Sequence, residues 1–279
     1  MKKSLILFTL FCLFICSFSG CASKQEPTEN EVAPVEIAAV EEPDVEISAE
    51  VVMEEVPSEQ TAEATVQEET ASDNTVFIHY GVISPTDNQE AASAYNEGTF
   101  YLNTFDYANA EKKFLEAIEL DPSFIDAWDN LGVVYRRQGK MAEAEEVLLQ
   151  SISMNDMNEV PYTILALVYC DQNRYQDALN LYVDLLKKIP DSAEGNYGLG
   201  NLLYQFSYFE NALYYFNRAA QIYLDQESPY LVDAVRNVGL CYYYLNDYET
   251  AEKWFQFTLT FISDDTVALK YLNKIKDTE

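Results

Sequence analysis

Chemistry in this chain would have to be done almost without imidazole, because His79 is its one histidine. General acid–base catalysis, nucleophile activation and metal ligation all lean on that side chain. Around His79 the sequence reads Thr75-Val-Phe-Ile-His-Tyr-Gly-Val-Ile83, with no second ligand type beside it. No nucleophile, base and orienting group recur together, and neither a glycine-rich phosphate loop nor a metal-ligand spacing is present. We therefore expect a non-enzyme without cofactor or metal. Charge removes a second class of function. The chain carries 47 acidic and 17 basic residues, a formal charge of −30 and a pI near 4.1. Nucleic-acid binding needs a basic stripe that displaces counterions from phosphate, so nucleic acid is excluded as a partner.

The cysteines carry a more specific signal. Met1-Lys2-Lys3 precedes an apolar run from Leu5 to Phe18, which suits a secretory signal and is short for a membrane span. It ends in Phe18-Ser19-Gly20-Cys21. This resembles the bacterial lipoproteins, whose signal closes on a small-residue box before an invariant cysteine; Ser19 and Gly20 match the box, and Phe18 stands where Leu is usual. The resemblance implies a signal peptide over 1–20, lipidation of Cys21, and a membrane attachment in the cell envelope through that lipid. Ala22, in place of the retention-type Asp, implies the outer membrane rather than the inner. Cys12 and Cys16 would leave with the signal. Cys170 and Cys241 remain, and both are expected as small buried apolar residues and not as a disulfide.

Composition divides the chain into regions with different physical roles. Residues 1–21 carry +2, residues 22–90 carry −17 and residues 91–279 carry −15. From Ala22 to Asn74 the sequence is Glu, Val, Ala, Thr and Pro with almost no aromatic residue, which predicts a disordered acidic tether within 21–90. A flexible chain of roughly 65 residues has an end-to-end distance of about 45 Å, enough to hold a folded domain off a membrane. The apolar stretch 75–83 is placed to dock on the first helices as an extended segment.

From residue 91 the sequence copies itself. Gly98, Gly132, Ala166, Gly200 and Gly239 form one column, and Ala110, Ala144, Ala178, Ala212 and Ala251 form another, both at spacings of 34, 34, 34 and 39. Tyr101, Tyr135, Tyr169, Leu203 and Tyr242 keep the same step, as do Phe114, Leu148, Tyr182, Phe216 and Phe255. Small residues at fixed positions let two helices approach closely, and the aromatic columns fill the space around them. No single helix pair buries its apolar face alone, so neighbours must share a core.

The spacing and the run Trp128-Asp-Asn-Leu131-Gly132-Val-Val-Tyr135, with Ala144 following, resemble the tetratricopeptide repeat. The resemblance covers residues 91–265. It implies an all-α fold, a right-handed α-α superhelix of five helix-turn-helix repeats at 91–124, 125–158, 159–192, 193–226 and 232–265. A capping helix is expected over 266–276, where Val267, Leu269, Tyr271, Leu272 and Ile275 recur at helical spacing. Together they make a tetratricopeptide domain over 91–279. Ser228-Pro229 reads as an N-cap and first helical residue, so the five inserted residues are expected to start the last A helix early.

The resemblance also implies where binding occurs. In this family a concave groove is built by positions 2, 5, 9, 12 and 13 of each first helix. Carried onto this frame, the candidate groove residues are Tyr95, Asp129, Arg136, Arg137, Tyr197, Asn201, Tyr204, Arg236, Tyr243 and Tyr244. Tyrosine and arginine are enriched in binding hot spots. Tyr95 and Thr99 stand where a receptor for acidic C-terminal tails needs basic residues and asparagine, so that class is rejected. The leading expectation is a membrane-anchored scaffold that presents the groove to a partner protein or peptide. The alternative is an accessory lipoprotein of a solute-transport system that binds a small ligand or a solute receptor.

Overall fold

The computed structural model describes residues 86–277. Cys21, the signal segment, the stretch holding His79 and the expected tether as far as residue 85 lie outside those residues; residues 86–90, expected in the tether, instead belong to the folded part, where Asn88 caps a helix that Gln89 and Glu90 open. Among the described residues there are eleven helices and no strand, and none of the helices is long and apolar enough to cross a membrane.

Five helix pairs follow the 34-residue period. They are α1 (Gln89–Asn103) with α2 (Tyr107–Leu120), α3 (Ile125–Arg137) with α4 (Met141–Met154), and α5 (Glu159–Asp171) with α6 (Tyr175–Lys188). Then come α7 (Ala193–Gln205) with α8 (Phe209–Asp225) and α9 (Leu231–Tyr244) with α10 (Tyr248–Phe261), and α11 (Thr266–Lys276) closes the series. The described residues form two compact units divided between Ala178 and Leu179, within α6. In the first, each helix from α1 to α5 packs on the next, and α3 also touches α5. In the second the same rule holds from α7 to α11.

The glycine column works by contact distance. A Cβ at Gly98 would stand 2.7 Å from the Phe114 ring, one at Gly132 2.5 Å from Leu148, and one at Gly200 or Gly239 2.9 Å from Phe216 or Phe255. Each large residue sits sixteen positions after its glycine, so two of the sequence columns are the two sides of one contact. The turns inside each pair share a device with no signature in residue type. Phe105, Gly139, Asn173, Ser207 and Asn246 all take positive φ, between 59° and 76°, at the 34-and-39 spacing. The left-handed residue lets the next N–H reach back to the aromatic column: Asp106 to the Tyr101 carbonyl at 2.9 Å, and Asp247 to the Tyr242 carbonyl at 3.0 Å.

The inserted residues are used differently from expectation. Helix α9 begins only at Leu231, after a turn that holds Ser228 and Pro229. The preceding helix α8 takes up the extra length, with 17 residues against 14 in α2. Leu224 occupies the column that holds Pro122 and Pro190, but Asp156 and Ser263 stand there too and their B helices still end at Met154 and Phe261, so the longer α8 goes with the insertion and not with the missing proline.

Candidate functional site

Position five of the A helices, expected to face a partner, joins the repeat to the next element in four repeats, while Thr163 in the third bonds its own helix at the Val160 carbonyl. Tyr95 is buried against the Phe114 and Phe124 rings, and its hydroxyl accepts from Asn130 Nδ2 at 2.9 Å. Tyr197 repeats the arrangement: it is buried against Phe216 and accepts from Asn237 Nδ2 at 3.0 Å. Asn237 also donates to Asn201 Oδ1 at 3.2 Å. Asp129 is buried and accepts from Ser151 Oγ at 2.5 Å and from Asn158 Nδ2 at 2.8 Å. Asn158 is the residue that caps α5, so this carboxyl ties α3 to the start of the next pair. Burial pushes the Asp129 carboxyl up to about 7, and the neighbouring Asp126 adds to the shift.

Arg236 makes the equivalent tie with charge. Its Nε donates to Asp265 Oδ2 at 2.9 Å, its Nη2 to Asp233 Oδ1 at 2.6 Å, and Asp265 caps α11. Burial opposes the arginine's charge, but the two carboxylates outweigh it and hold the guanidinium protonated. Tyr95, Asp129 and Tyr197 are thus buried where a groove-facing position was expected, and Arg236 is half-buried with its guanidinium held by two carboxylates. Their polar atoms bond neighbouring elements of the array.

Of the other expected residues, Arg136 is largely covered and gives its Nε to Asp171 Oδ2 at 2.6 Å, while Arg137 and Asn201 are half-buried. Cys170 is half-buried, against the expectation of a buried residue; Cys241 is buried, and burial pushes its thiol up.

Tyr204, Tyr243 and Tyr244 come together in the second unit. Tyr244 is 41% exposed, and its ring stacks on Phe209 at 4.9 Å, with Tyr204 5.8 Å and Tyr243 5.5 Å away. Tyr243 meets the Tyr271 ring at 4.7 Å, and the Tyr244 and Tyr271 hydroxyls share a hydrogen bond of 2.9 Å. Lys274 Nζ lies 4.7 Å from the Tyr271 ring centre and 5.9 Å from that of Tyr243. Burial raises the pKa of the Tyr204 and Tyr271 hydroxyls, and the neighbouring Tyr244 adds to both shifts, so these are neutral groups at ordinary pH. The cluster offers ring faces, phenolic hydroxyls and an ammonium edge. These are recognition groups, and none is poised as a nucleophile or base. No grouping of three or more metal-ligating side chains that could hold an ion occurs among the described residues.

Phe209, Tyr271 and Lys274 were missed by reading the A-helix positions alone. Phe209 opens α8, and Tyr271 and Lys274 belong to the capping helix, so no groove column contains them.

Comparison with known proteins agrees with this geometry. Three tetratricopeptide-repeat models match residues 91–124, 113–146 and 165–230. Cilia- and flagella-associated protein 70 of Macaca fascicularis is 31% identical over 97 residues, which are 34% of this chain and 10% of that protein. The chain thus spans about a tenth of the length of the curated relatives it matches first. The structure of the APC/C hetero-tetramer Cut9-Hcn1 aligns with a TM-score of 0.56 at 17% identity, over 69% of this chain and 37% of that one. A tetratricopeptide repeat protein from Parabacteroides merdae aligns with a TM-score of 0.54 at 21% identity, over 67% and 72%. The matched segments carry tetratricopeptide repeats, and the fold of the described residues is the tetratricopeptide solenoid.

Proposed function

We propose that this chain is a non-catalytic scaffold that binds a protein partner through the tyrosine cluster of residues 204–274, while a lipid on Cys21 holds it at a bacterial envelope membrane, the outer membrane by preference. The observation that carries the binding reading is Tyr244, a large aromatic left 41% exposed within a continuous set of rings on α7, α8, α9 and α11. Rigid aromatic faces with hydroxyl tips give contact area at small entropic cost, which is why they dominate interface hot spots. The neighbouring Lys274 adds a cationic edge, so an extended or helical segment with apolar side chains and a nearby carboxylate suits the surface. Supporting the anchor are the Ser19-Gly20-Cys21 box and the apolar run before it.

Two experiments test the two halves. Affinity capture from membranes, with wild type compared against Tyr204→Ala plus Tyr244→Ala, should recover a partner with the first only; equal recovery by a folded double variant rejects the cluster as the site. Radioactive palmitate should label the wild type and not Cys21→Ala. Label in both, or in neither, rejects the anchor.

A further inference from the structure

Among the described residues, the first repeat leaves open a surface that the other repeats cover. In repeat four, a Cβ at Gly195 would stand 2.9 Å from Leu185 and one at Gly198 2.5 Å from Tyr182, so this side of an A helix is where the preceding B helix lies. Positions three, seven and ten of the repeat share that side. They are Ala127, Leu131 and Val134 in α3, then Ala234, Val238 and Cys241 in α9, none more than 1% exposed. In α1 the same positions hold Ser93, Glu97 and Phe100, all exposed, with Phe100 at 53%. Their i, i+4, i+7 spacing puts them in one stripe. Beside the stripe an open cleft of about 640 Å³ lies between α1 and α2, lined by Glu90, Ser93, Glu97, Glu116 and Glu119. Lys113 bonds Glu97 and Glu116, each at 2.9 Å, and leaves the carboxylates in excess.

The seat is built for a helix, and its chemistry selects which one. A second copy of the chain would bring the same carboxylates to the same place and be repelled. Residues 75–83 contain neither lysine nor arginine with which to answer those charges. We propose that the α1–α2 face receives a basic amphipathic helix from a partner protein, which sets an apolar side chain on Phe100 and lysine or arginine side chains against the carboxylates of Glu90, Glu97 and Glu119. The helix stands where a preceding B helix would be and recognises the seat by ridge packing plus charge. This surface is separate from the tyrosine cluster, so either reading survives failure of the other.

The test is fluorescence anisotropy on the full chain. Its probe is a labelled peptide of about 14 residues, the length of α2, with leucines at i, i+3, i+4 and i+7 and lysines flanking them. A second probe replaces every lysine by glutamate. The lysine peptide should bind at least about 10-fold more tightly than the glutamate peptide, and Phe100→Ala plus Glu97→Gln should weaken it about 10-fold. Removing two exposed carboxylates elsewhere, with Asp184→Asn plus Glu249→Gln, should leave the affinity unchanged. Equal losses in the two double variants would mean general attraction to an acidic protein and overturn the proposal. So would binding that appears only after deletion of residues 75–83, or a dimer in sedimentation that Phe100→Ala dissolves, since these assign the face to the chain itself or to its copy.

Discussion

The last repeat and the first solve the same physical problem in opposite ways. At the C-terminal end α11 lays Ala268, Tyr271, Leu272 and Ile275 over Leu240, Ala251 and Phe255, and its N-cap Asp265 is clasped by Arg236. At the start of the array α1 turns Ser93, Glu97 and Phe100 to the side on which α3 and α9 bury alanine, leucine, valine and cysteine. Repeat arrays need their ends made polar or covered, because each repeat otherwise exposes a face meant for a neighbour. One end here is covered by a helix, and the other is made mostly polar with one aromatic left in it. An end cap contributes to stability, whereas an open end with retained apolar surface is suited to recognition.

The sharpest break of that comparison comes from removing the cap's main contact. Tyr271→Ala takes a buried ring away from Phe255 and Tyr243 and should cost about 3–5 kcal/mol, as large-to-small changes in cores do. Urea unfolding of the full chain measures it. A loss of under about 1 kcal/mol would mean that the C-terminal end is no better covered than the first.

The ties that join repeats differ between the two units as well. Arg236 holds its N-cap with an ion pair, while Asp129 reaches the N-cap Asn158 as a buried carboxyl with neutral donors. An aspartate raised from its ordinary value to about 7 keeps its proton in the folded chain while the unfolded chain loses it. The unfolded state therefore binds fewer protons between those two values, and this group's effect on stability worsens as pH rises through that window. Its contribution to the fall in stability from about pH 4 to about pH 7 should be on the order of 3 kcal/mol. Asp129→Asn, whose amide oxygen still accepts from Ser151, should flatten that part of the profile in thermal unfolding. An unchanged slope would place the titration elsewhere.

How much of this was legible beforehand depends on whether a feature repeats. The small-residue and aromatic columns recur five times because the same two-helix contact recurs, and they mark the paired helices, while the helical spacing of Val267, Leu269, Tyr271, Leu272 and Ile275 marks α11 over 266–276. The left-handed turn residues recur as often in conformation, but Phe, Gly, Asn, Ser and Asn share no residue type, so no column revealed them. The insertion was misread because Ser-Pro is a sound helix start taken alone, whereas the structure places the extra length in α8, which continues to Asp225. Position five failed for another reason. The groove assignment belongs to a family average, whereas Tyr95 and Tyr197 find asparagines one position further on in the next A helix, and such pairs are set by three-dimensional neighbours. The tyrosine cluster was half legible: α9 supplied Tyr243 and Tyr244, while Phe209 and Tyr271 required the packed structure.

The turn of the first repeat offers a smaller test of how that end is built. Phe105 holds φ at 61° and is 65% exposed, where the second repeat has Gly139 at 76°. A bulky side chain in the left-handed region is strained, and its exposed ring meets that of Tyr107 edge-on at 6.4 Å. Phe105→Gly should stabilise the chain by about 1 kcal/mol, and Gly139→Ala should destabilise it by a similar amount. If Phe105→Gly destabilises, the exposed ring makes a contact that outweighs its backbone strain.

The smallest effect on stability is expected where the effect on binding is greatest. Phe100 is exposed and touches the Tyr101 ring at 5.7 Å, so Phe100→Ala should change the unfolding free energy by less than about 0.5 kcal/mol. Its counterparts in the covered repeats behave oppositely: Val134→Ala removes fully buried methyl groups and should cost on the order of 1–2 kcal/mol. The pair isolates the difference between a position covered by a neighbouring helix and the same position left open. If Phe100→Ala destabilises as much as Val134→Ala, something in the chain already covers the first face, and the contrast between the two ends fails together with the proposed helix seat.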